Sequence, residues 1–582
     1  MLRVTSRLLL LASMALLVSA GPPVPPPADL VIVHGAVYSL AWPEPGGDGR
    51  PSSAAPFDAA RGWHPDAQAV AIRAGRIVLV GSDSAALALR GPRTRVIDAH
   101  GAVILPGLAD AHVHLANLGE SLALVNLVGV ANENEAIERV AARAATTARG
   151  QWIIGYGWDD GAWANHYPDM VRLTQRVPNN PVWLRGLHTF AGWGNKLAFE
   201  RAGITTATAA PTGGEIRKDS QGRPTGILLN NAVQLMERAV PRLTPAQLDD
   251  RMTSAMQALV RSGYTAVTEA NADSAIVASL ERLAARDRLP LRVTVLLASA
   301  DSALVRRWLS RGPDTSRAAM LRVIGVKGFY DGALGSRGAL LLADYSDRPG
   351  HRGKGGADYG FNERLILDAM HRGFQIVIHA IGDGANRQTL DLFERAFASD
   401  PTSRANRPRI EHAQVLAPED IPRFAKLGVI ASMQPGHAVE DKTWAEDRLG
   451  PDRVRGGYAW RSLRRSGARM VLSSDLPGSD YDFFYMIHSA IARTDKSGKP
   501  AGGWFPSERL SPEEAVRGYT AWSAYGTFVD SDAGVLRPGM WGDVTLLDRD
   551  PFVLGSTNPD KLLGGKAVAT IVRGRVVFLA AP

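Results

Sequence analysis

The run Asp110-Ala111-His112-Val113-His114 sets two imidazoles two residues apart. On a β-strand, residues two apart project to the same side, so His112 and His114 can reach one ion from a single strand end. A His-x-His pair alone is weak, because two strand histidines satisfied by backbone give the same pattern. Four further residues change that. Lys327 stands in "VIGVKGF", His379 in "IVIHAIGD", His412 in "RIEHAQ" and Asp475 in "VLSSDLPG", where apolar residues are expected. A buried lysine without a partner is costly, and must go neutral or find one. Four histidines, one carboxylate and an anomalous lysine form a coherent ligand set for a divalent metal, whose chemistry is the activation of water. The chain has no cysteine, so a metal site here is limited to His, Asp, Glu or Lys.

These residues need a scaffold that brings distant strand ends together. The middle of the chain alternates strand and helix patterns, which argues for parallel βαβ units. Eight strands are expected at "VILPGLADAHVHL", 264–270, 291–299, 321–332, 374–383, 408–414, 428–435 and 468–478, with helical patterns such as 363–372 and 384–397 between them. The fold class is therefore α/β, a (β/α)8 TIM-like barrel, in which catalytic groups converge at the C-terminal strand ends. Residues from about 131 to about 250 are too long for one βα connection and read as an insertion after the first barrel strand, with strand signals at 151–159 and 181–190. Short β runs at both ends of the chain (28–40, 69–81 and 94–107, then 542–550 and 568–578) suggest a small β-sandwich built from both termini. The expected division is a signal peptide over 1–20, sandwich strands in 21–104, the barrel over 105–530 and the rest of the sandwich in 531–582.

The order His-x-His, Lys, His, His, Asp on strands 1, 4, 5, 6 and 8 resembles the amidohydrolase superfamily. The details are similar to its amidohydrolase-3 branch, the YtcJ-like and N-substituted formamide deformylase-like proteins. The carrying motifs are "LPGLADAHVHL" (105–115), "KGFYDGALGSRGALL" (327–341), "IHAIGDGANRQTLD" (378–391), "RIEHAQ" (409–414), "SSDLPGSD" (473–480) and the tail "GVLRPGMWGDVTLLDRDPF" (534–552). The resemblance spans nearly the whole chain beyond the leader. It implies that His112 and His114 bind a buried metal and that Lys327, carboxylated, bridges to a second metal held by His379 and His412. It further implies that Asp475 touches the first metal and acts as general base. Two zinc ions are the first expectation; iron, manganese or cobalt also suit these ligand types. The implied chemistry is hydrolysis of a non-peptide carbon–nitrogen bond, an amide, N-acyl or N-formyl group, by hydroxide generated at the metals. An esterase or lactonase using the same site, and an exported binding protein that has lost turnover, are the alternatives. A lysine that snorkels out or pairs with Asp331 is the alternative for Lys327.

Secondary substrate-binding candidates are His188, His437 and Trp158. His188, with Asn195, sits where the branch shows an Asp-Gly-His run before a Trp-Asn-like pair, but Gly186-Leu187 replaces the Asp-Gly here. His437 follows the seventh strand, as a pocket residue or a surface-loop histidine. Trp158, with Trp163 and Trp193, walls an apolar pocket or packs the insertion's own core.

Arg3 and Arg7, the apolar run Leu8–Leu17 and the small residues Val18-Ser19-Ala20 read as a secretory signal, followed at once by a proline cluster. The chain is then exported, to the periplasm or the medium, with no stable membrane anchor after cleavage. Net charge is +8, and loss of Arg3 and Arg7 leaves about +6. Basic residues are interleaved with acids, so no nucleic-acid footprint is expected. The expected partner is a small-molecule substrate; a homo-oligomer is left open.

Overall fold

The computed structural model describes residues 26–158, 163, 167–186 and 191–581. The leader segment 1–20 and His188 lie outside the described residues.

Eight parallel strands form the central sheet: β1 (Leu108–Val113), β2 (Tyr264–Ala272), β3 (Arg292–Ala298), β4 (Leu321–Phe329), β5 (Gln375–Ala380), β6 (Arg409–His412), β7 (Ile430–Met433) and β8 (Met470–Leu472). They lie side by side in chain order. Helices cover their outer face, so the strands are buried along most of their length, β3 and β5 at every residue. Helices Glu363–His371 and Asp383–Ser399 flank β5, and Asn362 caps the first by accepting the Leu365 N–H.

The barrel closes where β8 returns to β1. The Asp475 N–H donates to the His112 carbonyl at 3.0 Å, and the His114 N–H donates to the Leu476 carbonyl at 3.2 Å. Asp110 locks the same seam: its buried carboxylate accepts the N–H groups of His112 and Ser474 at 3.1 Å each. Closure thereby sets Asp475 against the His-x-His pair. Burial pushes the Asp110 carboxyl up to about 7, against the hydrogen bonds from Ser474 and His112 that favour its charged form.

A second, six-stranded sheet interrupts the barrel between β1 and β2. It begins at Val125–Asn126, upstream of residue 131, and includes Ile153–Trp158, Val182–Gly186, Ala191–Gly194, Pro224–Asn230 and Gly214–Lys218. The chain re-enters the barrel layer with helix Pro245–Arg261, upstream of residue 250. Its Thr244–Gln247 capping box fixes the start, and its Met252, Met256 and Leu259 join the same core as Leu108 and Val267.

Two sheets at the chain ends pack on each other. One, from the N-terminal segment, contains Leu30–Val33, Ala69–Arg73, Arg76–Gly81 and Arg95–Asp98. The other pairs Ala36–Val37 and Val103–Pro106 with Val544–Leu547, Ala567–Val572 and Arg575–Leu579. Leu30, Ile32, Val70 and Ile72 of the first meet Ile104, Val544, Leu546, Ala569 and Ile571 of the second in one core. Among the described residues, no helix is long and apolar enough to cross a membrane.

Candidate metal centre

His112 and His114 project from the end of β1, as the two-residue period requires. Their Nε2 atoms lie 3.4 Å apart, and Asp475 Oδ1 sits 3.2 Å from the first and 3.3 Å from the second. The three residues bring one ligand atom each within 4.8 Å of one another. His412, His437 and Asp475 meet the same condition. His437 Nε2 is 3.8 Å from Asp475 Oδ2, and its ring stacks on His412 at 5.9 Å. His379 lies edge-on to His412, their ring centroids 4.6 Å apart.

The outer nitrogens of these rings explain why Nε2 faces inward. His112 Nδ1 lies 2.5 Å from Glu411 Oε2, and His412 Nδ1 lies 2.8 Å from Gln434 Oε1. His379 Nδ1 is 3.2 Å from Asp331 Oδ1, within ion-pair range but not aligned as a hydrogen bond. His114 Nδ1 is 4.0 Å from Glu269 Oε1. An oxygen behind Nδ1 favours the tautomer that leaves Nε2 free as a ligand. Burial pushes His112 down to about 4, with Lys327 adding to it, and His412 well below the usual imidazole range. Both are therefore neutral near pH 7, the form that coordinates metal.

Each of these oxygens is itself held. Glu411 is fully buried, with Arg409 bonded to its other oxygen, Oε1, at 2.5 Å. Burial works against the Glu411 carboxylate, but Arg409 and His112 outweigh it and hold it well below the usual carboxylate range. Asp331 accepts three backbone N–H groups, from Leu340, Ile381 and Gly382 at 2.9–3.0 Å. Gly382 is required at that turn, since a Cβ there would collide with the Leu340 carbonyl. Gln434 donates to Ser473 Oγ at 2.8 Å. Glu269 accepts the Leu115 N–H at 2.7 Å, and burial raises its carboxyl.

Lys327 is 1 % exposed, and its Nζ has no hydrogen-bond partner among the described residues. Among the described residues no ion pair joins Lys327 to Asp331, and the amine does not snorkel to solvent; it lies 4.9 Å from the Phe329 ring centroid. Burial pushes it down to about 8, against the pull of Glu411 and Asp475. An orphaned amine ringed by imidazoles and carboxylates fits a group that needs converting to an anionic oxygen ligand. Asp475 shows the converse: burial would raise it, but His112, His114, His412 and His437 hold it well below the usual range. Asp475 and His412 both adopt left-handed backbone, at φ +57° and +73°. Strain of this kind persists where the surroundings fix a side chain in place.

Two secondary candidates lie elsewhere. Trp158 sits in the packed interior of the inserted sheet, in ring contact with Trp163, Tyr167 and Trp193, its indole N–H spent on the Leu184 carbonyl. The side chain of Asn195 is also structural: it accepts the Val182 and Ala198 N–H groups and donates to the Val177 and Asn180 carbonyls.

Sequence reasoning missed Glu411, Asp331, Gln434 and Glu269 as supports for the ligands. One signal was present: Arg409 and Glu411 stand two apart in a strand that is otherwise buried, which calls for a mutual pair.

A family model described as "Amidohydrolase family" matches residues 95–578. The chain is 31% identical to "Putative amidohydrolase YtcJ" of Bacillus subtilis, over 84% of this chain and 91% of that one. It is 28% identical to "N-substituted formamide deformylase" of Arthrobacter pascens, over 83% and 90%. A solved structure, an uncharacterized metal-dependent hydrolase from Pyrococcus furiosus, superposes with a TM-score of 0.68 at 27% identity, over 90% of this chain and 99% of that one.

Proposed function

The chain belongs to the amidohydrolase family and is a metal-dependent hydrolase; from that premise we propose that it cleaves a non-peptide carbon–nitrogen bond of an N-acyl or N-formyl amide. The convergence of His112, His114 and Asp475 at the C-terminal end of the barrel carries this reading. The similarity to a formamide deformylase supports the choice of bond.

We assign His112, His114 and Asp475 to one divalent ion, His379 and His412 to a second, and a carboxylated Lys327 to both, with zinc as the first candidate metal. Bound there, the ions would supply a water of lowered pKa and a Lewis acid for the scissile carbonyl. Lys327, pushed down to about 8, has a neutral fraction near neutral pH; its nitrogen adds to carbon dioxide and loses one proton, giving a carbamate. Asp475, held ionised, accepts the proton of the attacking water as the new carbon–oxygen bond forms, and returns it to the nitrogen as the carbon–nitrogen bond breaks. His437, beside Asp475 and stacked on His412, lies where it would line the substrate pocket.

The basic and apolar run at 1–20 supports export as well, which N-terminal sequencing of protein recovered from the cell envelope or medium would test. The activity is tested by presenting N-formyl and N-acyl amines, with matched esters and lactones, to the metal-replete enzyme. Release of amine is expected. Turnover of esters alone would make it an esterase or lactonase, and no turnover of any class would favour a binding protein.

A further inference from the structure

A small cavity of about 40 Å³ lies at the N-terminal end of the barrel, opposite the metal centre. Its walls come from the starts of β1 to β4 and from the chain after helix Ala521–Gly526. The charged residues on those walls are Arg292, Arg317, Arg322 and Asp543. Three guanidinium groups thus face one carboxylate.

That carboxylate is already spent. Asp543 Oδ2 binds Arg292 Nε at 2.6 Å, and Oδ1 accepts the Arg573 N–H at 2.7 Å. Arg317 reaches Asp532 at 3.5 Å, but Asp532 also serves Arg76 at 3.2 Å. Arg322 has no carboxylate within ion-pair distance among the described residues. It is 5 % exposed, and its one hydrogen bond is to the Thr527 carbonyl at 2.7 Å. Thr294 pairs with Arg322 in the β3–β4 register, lines the same wall, and its hydroxyl has no partner among the described residues.

An arginine cannot shed its proton as a buried lysine can, and its planar fork matches carboxylate and phosphate oxygens. The Asp314 carboxylate favours the charge on Arg322 from beyond ion-pair distance, but Asp314 is itself bonded to Arg311 and to the Val323 N–H, and a buried cation without a direct counter-charge is strongly unfavourable. We propose that this cavity is a second ligand site, which takes a small oxyanion, a carboxylate or a phosphate, on Arg322, with Arg317 at its rim and the Thr294 hydroxyl as a further donor. The site is remote from the metals and independent of the hydrolytic reading. The anion would neutralise Arg322 and tie β3 and β4 to the chain that follows helix Ala521–Gly526.

The test is isothermal titration of the metal-replete protein with inorganic phosphate and, separately, with formate, at constant ionic strength in chloride. One or both are expected to bind, and the pair distinguishes a phosphate site from a carboxylate site. Arg322→Met is expected to weaken that binding about 10-fold or more, as loss of a charge-assisted hydrogen bond would, with turnover unchanged. Should Arg322→Met fail to fold, Arg317→Ala, at a half-exposed rim position, is expected to weaken binding in the same direction. Binding of neither anion, or binding equally strong in the folded variants, as an anion held at the metals would give, overturns the proposal.

Discussion

Glu411 Oε2 lies 2.5 Å from His112 Nδ1, while Arg409 holds the other carboxylate oxygen in a fully buried pair. The carboxylate therefore does two things at once. It favours the tautomer that leaves His112 Nε2 free, and it balances a buried guanidinium whose Nη2 also donates to the Ala111 carbonyl on β1.

Glu411→Gln keeps the shape and removes the charge. Breaking a buried pair costs about 3–5 kcal/mol, and losing the partner of a ligating histidine costs about 10–100-fold in metal affinity. The variant is expected to melt earlier and to surrender metal to a competing chelator at correspondingly lower concentration. A folded variant with wild-type metal affinity would show that Glu411 does not orient His112.

Asp475 sits in the left-handed region, which Asn tolerates better than other side chains. Asp475→Asn thus isolates the charge from the backbone geometry. Turnover is expected to fall by about 10²–10⁴, the usual worth of a general base, while most of the metal stays bound. Metal content and kcat measured on one preparation check this, and unchanged kcat would remove Asp475 as the base.

Asn195 makes four buried hydrogen bonds inside the inserted sheet. Asn195→Ala is expected to lower stability by about 2 kcal/mol or more, since it leaves buried backbone groups unpaired and removes a helix cap. Thermal melting would read the loss, and kcat/KM of the folded fraction should hold. A selective fall in kcat/KM without destabilisation would return Asn195 to the substrate site.

The candidate ligand residues stand out in the sequence because their types are wrong for apolar strand ends, and strands in chain order bring those ends together. The two-residue period sets His112 and His114 on one side, and the other four residues give that pair its weight. Their supports were hidden by that same period. Glu411 and His412 are adjacent, and on a regular strand they would face opposite sides. The left-handed backbone at His412 breaks the pleat, so both serve the site. Asp331 and Leu340 meet through a loop closure that only the folded chain reveals. The tryptophans of the insertion were ambiguous in sequence because a pocket wall and a packed core draw on the same residues; three-dimensional packing decides for Trp158.

Metal content per chain, by elemental mass spectrometry on protein purified without chelators and in bicarbonate, tests the central claim most directly. Close to two transition-metal ions per chain are expected, with fewer in Lys327→Ala, as the proposed carbamate requires. Two ions retained in Lys327→Ala would contradict the carbamate, and no bound transition metal after reconstitution of the wild type would contradict the account as a whole.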